Sequence, residues 1–288
     1  MGKVSEVCQE RIVEAITTRV RVLREHVDAV RREDPDGIHD MRVASRRLRA
    51  ALSEYAAFLP KAPRGELLHE ARRITRLLGR PRELDVTLGL LARYHDESDA
   101  AARAAATTLM DRLRGERAQL AADCLEAADM AASETIDGML RRLIEGTRPK
   151  GRSVVDEVAR RLRRRFNALT DEYGAWIDTG EREQLHRVRV AFKKFRYACE
   201  LFTPYFGDRM DVVIQELKQI QEHLGAWNDG RVLLREAGNL PDAPGMDALR
   251  AAFEEETRKH LHAFQTIAGD FFSKKRRTRL RRFFRAAQ

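Results

Sequence analysis

Apolar positions along this chain recur with a period near 3.6, and no stretch shows sustained period-two alternation rich in Val, Ile and Thr. The 8 prolines and 17 glycines of the 288 residues cluster at breaks between the periodic stretches. The pattern predicts an all-α chain. Helices are expected over 4–32, from an N-cap at Asp36 to about Leu59-Pro60, and over 64–79, where Arg80-Pro81-Arg82 ends the run. A short helix from Val86 to Tyr94, a long Ala-rich one over 100–130 and another to about Ile144 complete the first half. Segment 146–153, GTRPKGRS, reads as a linker. The second half repeats the plan: a helix over 153–177, one carrying His186 and ending at Phe202, one over 209–224, and a final helix over 246–269 after a loop from Asn239 to Gly245. Short connections favour antiparallel neighbours, so residues 1–145 and 152–288 each read as a four-helix-type bundle, the two related by an internal duplication and a pseudo-twofold axis.

The duplication is explicit in two segments. Residues 38–52 read IHDMRVASRRLRAAL and residues 185–199 read LHRVRVAFKKFRYAC. A shift of 147 positions puts His39 on His186, Arg42 on Arg189 and Arg46 on Lys193. The same shift puts Arg47 on Lys194 and Arg49 on Arg196. At about 100° per residue, offsets of 0, 3, 7 and 10 from the histidine fall within an arc of roughly 80°. His39, Arg42, Arg46 and Arg49 therefore form one stripe about 15 Å long, and His186, Arg189, Lys193 and Arg196 form another. The simplest alternative is a solvated helix face. Such faces, however, mix Glu with Lys and Arg at i,i+4, whereas these stripes place like charges three and four residues apart, which costs stability unless an anion relieves it. The two histidines are the stripe residues expected to titrate near neutrality.

Composition points the same way. The 54 Lys and Arg outnumber 45 Asp and Glu for a net charge of +9, and the pI near 9.8 favours anionic partners. Only nine of the cations are Lys, and arginine forks suit phosphate oxygens. Abundant Ala beside Arg also fits a GC-rich genome, so the positions of the arginines weigh more than their number. No 18-residue apolar run suggests a membrane span, and the polar start, MGKVSEVCQERIVEA, is unlike a secretory signal. Cys8, Cys124 and Cys199 sit in helical patterns and read as buried thiols of a cytoplasmic protein. No cofactor motif is present: there is no P-loop and no Gly-rich dinucleotide turn.

Rival chemistries leave traces that weaken on inspection. His39-Asp40 matches the dipeptide of HD-type metal phosphohydrolases, yet Arg187 replaces the aspartate in the second copy. Glu66-x-x-His69 and Glu183-x-x-His186 echo di-iron bundles, but Arg189 and Lys193 would repel a cation there. Nucleic acid is the stronger rival because it shares the phosphate chemistry. In its favour stand the run Arg160 to Arg165 and the tail from Lys274 to Arg285. Against it, the stripes lack interleaved aromatics for base stacking, since Phe192, Phe195 and Tyr197 lie mainly off the charged arc. The tail, with Phe271, Phe272, Phe283 and Phe284, is expected to dock on its own bundle. Trp176 and Trp227 read as packing residues, and the six histidines outside the stripes as surface or core fillers.

The pattern H-x-x-R-V-x-x-(R/K)-(R/K)-(L/F)-R occurs twice, from His39 and from His186, followed by Leu-Gly and then an acidic residue and Val. The later pieces are Leu78-Gly79, Glu83 and Val86 in the first copy, and Leu224-Gly225, Asp229 and Val232 in the second. Over essentially its whole length, 1–288, the sequence resembles a single CHAD domain, the conserved-histidine α-helical domain; Glu83 stands where the family usually has Asp. The resemblance implies a non-catalytic module that binds inorganic polyphosphate and associates with polyphosphate granules and their proteins. It implies ligand-binding roles for His39, Arg42, Arg46, Arg47 and Arg49 and for His186, Arg189, Lys193, Lys194 and Arg196. Arg72 and Lys218, one helix later, are further candidates, as are Arg73 and Arg76. No metal ligand or cofactor is implied.

Overall fold

The computed structural model describes residues 2–148, 151–239 and 244–285, so Pro149-Lys150 of the expected linker and residues 240–243 of the expected loop lie outside the described residues. Among the described residues there are thirteen α-helices and no strand. The first half contains α1 (Gly2–Glu25), α2 (Val27–Arg31), α3 (Pro35–Glu54) and α4 (Lys61–Leu77). It continues with α5 (Gly79–Glu97), α6 (Ala100–Ala118), α7 (Ala121–Ala132) and α8 (Glu134–Gly146). The second half contains α9 (Gly151–Thr179), α10 (Arg182–Phe202), α11 (Arg209–Gly238), α12 (Met246–Phe271) and α13 (Lys274–Phe283). None is long and apolar enough to cross a membrane.

Local chemistry explains where the breaks differ from those read in the sequence. The N-cap of α3 is Asp34 rather than Asp36; its carboxylate accepts from the backbone N–H groups of Asp36 and Gly37, with Pro35 at the first position of the helix. Pro81 does not break a helix. It lies in the first turn of α5, where a missing N–H is harmless, so α5 begins at Gly79. The equivalent stretch of the second half has no proline, and α11 runs unbroken through Gly225 for 30 residues. The Ala-rich stretch over 100–130 is two helices, interrupted at Gln119-Leu120. Gly245 caps α12 at φ 83°, and a Cβ there would fall 2.2 Å from the carbonyl oxygen of Ala101, so only glycine fits.

Two hydrophobic cores are buried, and both halves of the sequence contribute to each. The larger runs through α1, α3, α4, α9 and α10 and takes in Phe192, Phe195, Phe264 and Phe284. The smaller joins α5 and α6 of the first half to α11 and α12 of the second through Leu84, Leu109, Leu233 and Phe253. Helices that the sequence repeat would match are packed in pairs: α1 with α9, α3 with α10, α5 with α11 and α6 with α12. That is the pairing a twofold would give. The tail docks on its own bundle as expected, with Leu280 and Phe284 buried and Arg276 paired with Glu216. Trp176 and Trp227 are buried, as are all three cysteines.

An ion network ties the halves together beside the smaller core. The Glu236 carboxylate, 4% exposed, accepts from Arg80 at 3.0 Å and Arg112 at 2.6 Å. Glu83, the residue at the family's aspartate position, accepts from Arg80 at 2.6 Å and Arg235 at 2.9 Å. Removing one partner of a buried network strands the others. Glu236→Ala is therefore expected to lower the unfolding free energy by about 2–3 kcal/mol in urea titration, whereas an unchanged midpoint would mark the network as peripheral.

Candidate functional site

Where α3 packs against α10, the two stripes, Arg196 excepted, line one cleft of about 660 Å³. The register explains the meeting: Met41, Leu48 and Leu52 of α3, and Val188, Phe192 and Phe195 of α10, are buried in the core, which turns the basic faces toward each other. α3 supplies His39, Arg42, Arg46 and Arg49, and α10 supplies His186, Arg189, Lys193 and Lys194. α4 adds Arg72, α5 adds Arg82 and Glu83, α9 adds Arg165, and α11 adds Asn228 and Asp229. Nine cationic side chains thus line the cleft against three carboxylates, Glu54, Glu83 and Asp229.

Two of those carboxylates do little to neutralise the centre. Glu54 bonds Arg165, leaving the rest of the cleft unbalanced. Glu83 is engaged by Arg80 and Arg235. Asp229 is the acid that opposes Arg189 and Lys193. Arg42 is anchored by a 2.5 Å hydrogen bond from Nη1 to the carbonyl oxygen of Thr75, whose hydroxyl meets that of Ser45 at 2.8 Å. Gly79 lies against this arginine: a Cβ there would be in van der Waals contact with Nη1 at 3.4 Å. Arg189 Nε is buried without a hydrogen-bond partner among the described residues, a donor in need of an acceptor.

Crowding of like charges moves the titrating groups. Burial, then Arg189 and Arg46, push the Lys193 ammonium down to about 7, with Asp229 opposing. Burial and Arg46 lower Arg42 to about 10. Burial also lowers Arg49 and Arg189, aided in Arg49 by Arg72. Both histidines fall below their ordinary value, His39 through burial and Arg82, His186 through burial and Arg189. Their charged forms are disfavoured, and Lys193 adds to the stripes a group that titrates near neutrality. The sign for stability follows from linkage. A lysine whose folded-state value is depressed destabilises the fold most below about 7, and the cost fades as pH rises toward the unfolded value of 10.5. The melting temperature of the ligand-free protein should therefore rise by a few degrees between pH 7 and pH 9. Lys193→Met should remove that rise in calorimetry, and a rise of equal size in the variant would assign it to other groups.

Not every candidate reaches the cleft. Arg47 bonds Glu200 and, with Lys218, lines a second groove between α1, α3 and α11. Arg196 is held by Glu200 at 2.6 Å and Gln221 at 2.7 Å and stacks over the Tyr197 ring, so it lies outside the cleft that its repeat counterpart Arg49 lines. Arg73 pairs with Glu126 at 2.7 Å, and Arg76 does not line the cleft. Among the lining residues that the stripe reading misses are Arg82, Arg165 and Tyr197. Arg82 and Tyr197 stand within the motif region, and Arg165 within the basic run. The signal was present, but nothing local tells which way each points. Among the described residues no cluster of His, Cys, Asp and Glu suits a metal ion.

The comparisons with known proteins bear on this arrangement directly. A family model described as the CHAD domain matches residues 14–238. The chain belongs to the CHAD domain family. Among solved structures, the crystal structure of the CHAD domain from the plant Ricinus communis is similar at a TM-score of 0.60 and 21% identity, covering 97% of this chain and 92% of that one. PptA from Streptomyces chartreusis matches at a TM-score of 0.63 and 16% identity, covering 90% of this chain and 98% of that one. At these identities the likeness is one of fold. No curated protein matches the sequence. In this CHAD domain the paired histidine motifs and their arginines fall on the facing helices α3 and α10.

Proposed function

We propose that this CHAD domain binds inorganic polyphosphate in the cleft between α3 and α10, without chemical turnover, and that binding places the protein on polyphosphate granules. The observation that carries the reading is the convergence of nine cations in one cleft that holds only three carboxylates, with burial and then neighbouring arginines pushing Lys193 and Arg42 down. Such a site is preorganised for a linear polyanion. Rigid helices hold the donors, so little ordering entropy is lost on binding, and arginine forks can take non-bridging oxygens of successive phosphates. The same charge works against a divalent metal, which fits binding better than metal-assisted hydrolysis. A flat face reading duplex DNA is a poorer match, because the cations line the walls of a cleft.

Labelled long-chain polyphosphate should be displaced by unlabelled polyphosphate at far lower phosphate concentration than by tRNA or duplex DNA at fixed salt. Equal displacement by nucleic acid would reduce the site to a general polyanion binder, and release of phosphate with added Mg²⁺ or Mn²⁺ would make it an enzyme. The logarithm of affinity should fall linearly and steeply with the logarithm of salt concentration. A flat response in the same titration would point to a small or uncharged ligand.

A further inference from the structure

Lys193 stands apart from the other cations of the cleft. It is half-buried at the centre of the stripe on α10, and among the described residues no carboxylate lies within ion-pairing distance of its ammonium. The groups facing it come from every helix packed around it. Arg189 and His186 lie on its own helix, Arg42 and Arg46 on α3 and Asp229 on α11, while His39 of α3 and Arg165 of α9 line the same cleft. We propose that Lys193 is a covalent acylation site, in which acyl phosphates seated by the cleft's arginines transfer their acyl group to Nζ.

The geometry supplies both things that this reaction needs. An amine must be neutral to attack, and desolvation among guanidinium groups, which brings Lys193 to about 7, keeps a large neutral fraction at cytoplasmic pH. The donor must be held, and Arg42, Arg46 and Arg189 surround the amine with forks suited to a phosphoryl group. In the step itself the Nζ lone pair attacks the acyl carbonyl carbon and a C–N bond forms. The bond from that carbon to the bridging phosphate oxygen breaks, inorganic phosphate leaves with the electron pair, and the amine proton passes to phosphate or water. No oxidant or further reactant is required. The product is an amide that cannot be protonated at neutral pH, so one cation is lost from the centre of the cleft and bulk is added there. Polyphosphate and acylation are then mutually exclusive: a bound polyanion covers Nζ and holds it protonated. The inference rests on the cleft being a phosphate site.

Acetyl phosphate is the probe. The intact protein is incubated with it at pH 7, and acetylation at each lysine is followed by peptide mass spectrometry. Lys193 should react about tenfold or more faster than the exposed neighbour Lys194, because its neutral fraction is far larger than that of an ordinary lysine. Long-chain polyphosphate should suppress the reaction at Lys193 and leave surface lysines unaffected. p-Nitrophenyl acetate, an acyl donor without phosphate, should show a smaller preference for Lys193, and Arg46→Gln should reduce the acetyl phosphate preference while the protein remains folded by circular dichroism. Reaction at Lys193 no faster than at Lys194, in a protein that binds polyphosphate, overturns the acylation proposal alone. Fast reaction at Lys193 with both donors alike, in a protein that polyphosphate neither binds nor protects, overturns the phosphate-site reading and with it the guided transfer.

Discussion

Reversing Arg46 and Lys193 together (Arg46→Glu, Lys193→Glu) is expected to weaken polyphosphate binding by about two orders of magnitude or more while the chain stays folded. Both residues line the cleft, one from each facing helix, and each lowers the basicity of its neighbours. At an effective dielectric near 20, two unit charges 4 Å apart interact by about 4 kcal/mol. If screening leaves only a third of that per residue, the two lost attractions amount to about 3 kcal/mol, which is roughly a hundredfold in affinity. The fold should not suffer. Among the described residues neither side chain makes an ion pair or hydrogen bond, and the reversal replaces repulsion with Arg42 and Arg189 by attraction. Binding measured by titration and melting measured by circular dichroism separate the two effects. A collapse of helicity would show that the pair holds α3 to α10, and undiminished binding would move the ligand elsewhere.

How much of this arrangement was legible in the sequence depends on the kind of information required. Periodicity was enough for an all-α fold and for the orientation of α3 and α10, because Leu48 and Phe195 must be buried and the cations must then face away from the core. A shift of 147 residues paired Arg46 with Lys193 without knowledge of the fold. It did not reveal that the repeats diverge at one end of the cleft. Ser53 of the first copy corresponds to Glu200 of the second at the same shift. That carboxylate takes both Arg47 and Arg196, whereas their counterparts Lys194 and Arg49 line the cleft. One acidic residue a turn beyond the motif thus divides equivalent cations into two environments. Arg165 was beyond reach for a different reason: its direction is set by Glu54, which is 111 residues away in the chain and 2% exposed. Helix breaks failed where a proline was read without its position, as at Pro81 in the first turn of α5.

The pH dependence of binding should be carried mainly by Lys193, and above pH 7 rather than below it. In the free protein Lys193 sits at about 7; a bound polyanion favours the ammonium and raises that value. Affinity is then fully developed below about pH 7 and falls as pH rises from there toward the raised value of the complex. One group taking up one proton gives a limiting slope of about one logarithmic unit of dissociation constant per pH unit, reached only above the free-state value, so roughly fivefold weaker binding near pH 8 than near pH 7. The histidines act lower. Burial and neighbouring arginines hold both below their ordinary value of 6.5 in the free protein, so the affinity that their protonation adds is complete only below that value. Lys193→Arg keeps the charge at all these pH values and should flatten the profile between 7 and 8.5 with little change at pH 6.5. His39→Gln with His186→Gln should leave the upper limb intact and remove the rise at acid pH. Isothermal titration in buffers of different ionisation enthalpy reads the proton uptake directly. An upper limb that survives Lys193→Arg and disappears with the histidines would assign the switch to the histidines instead.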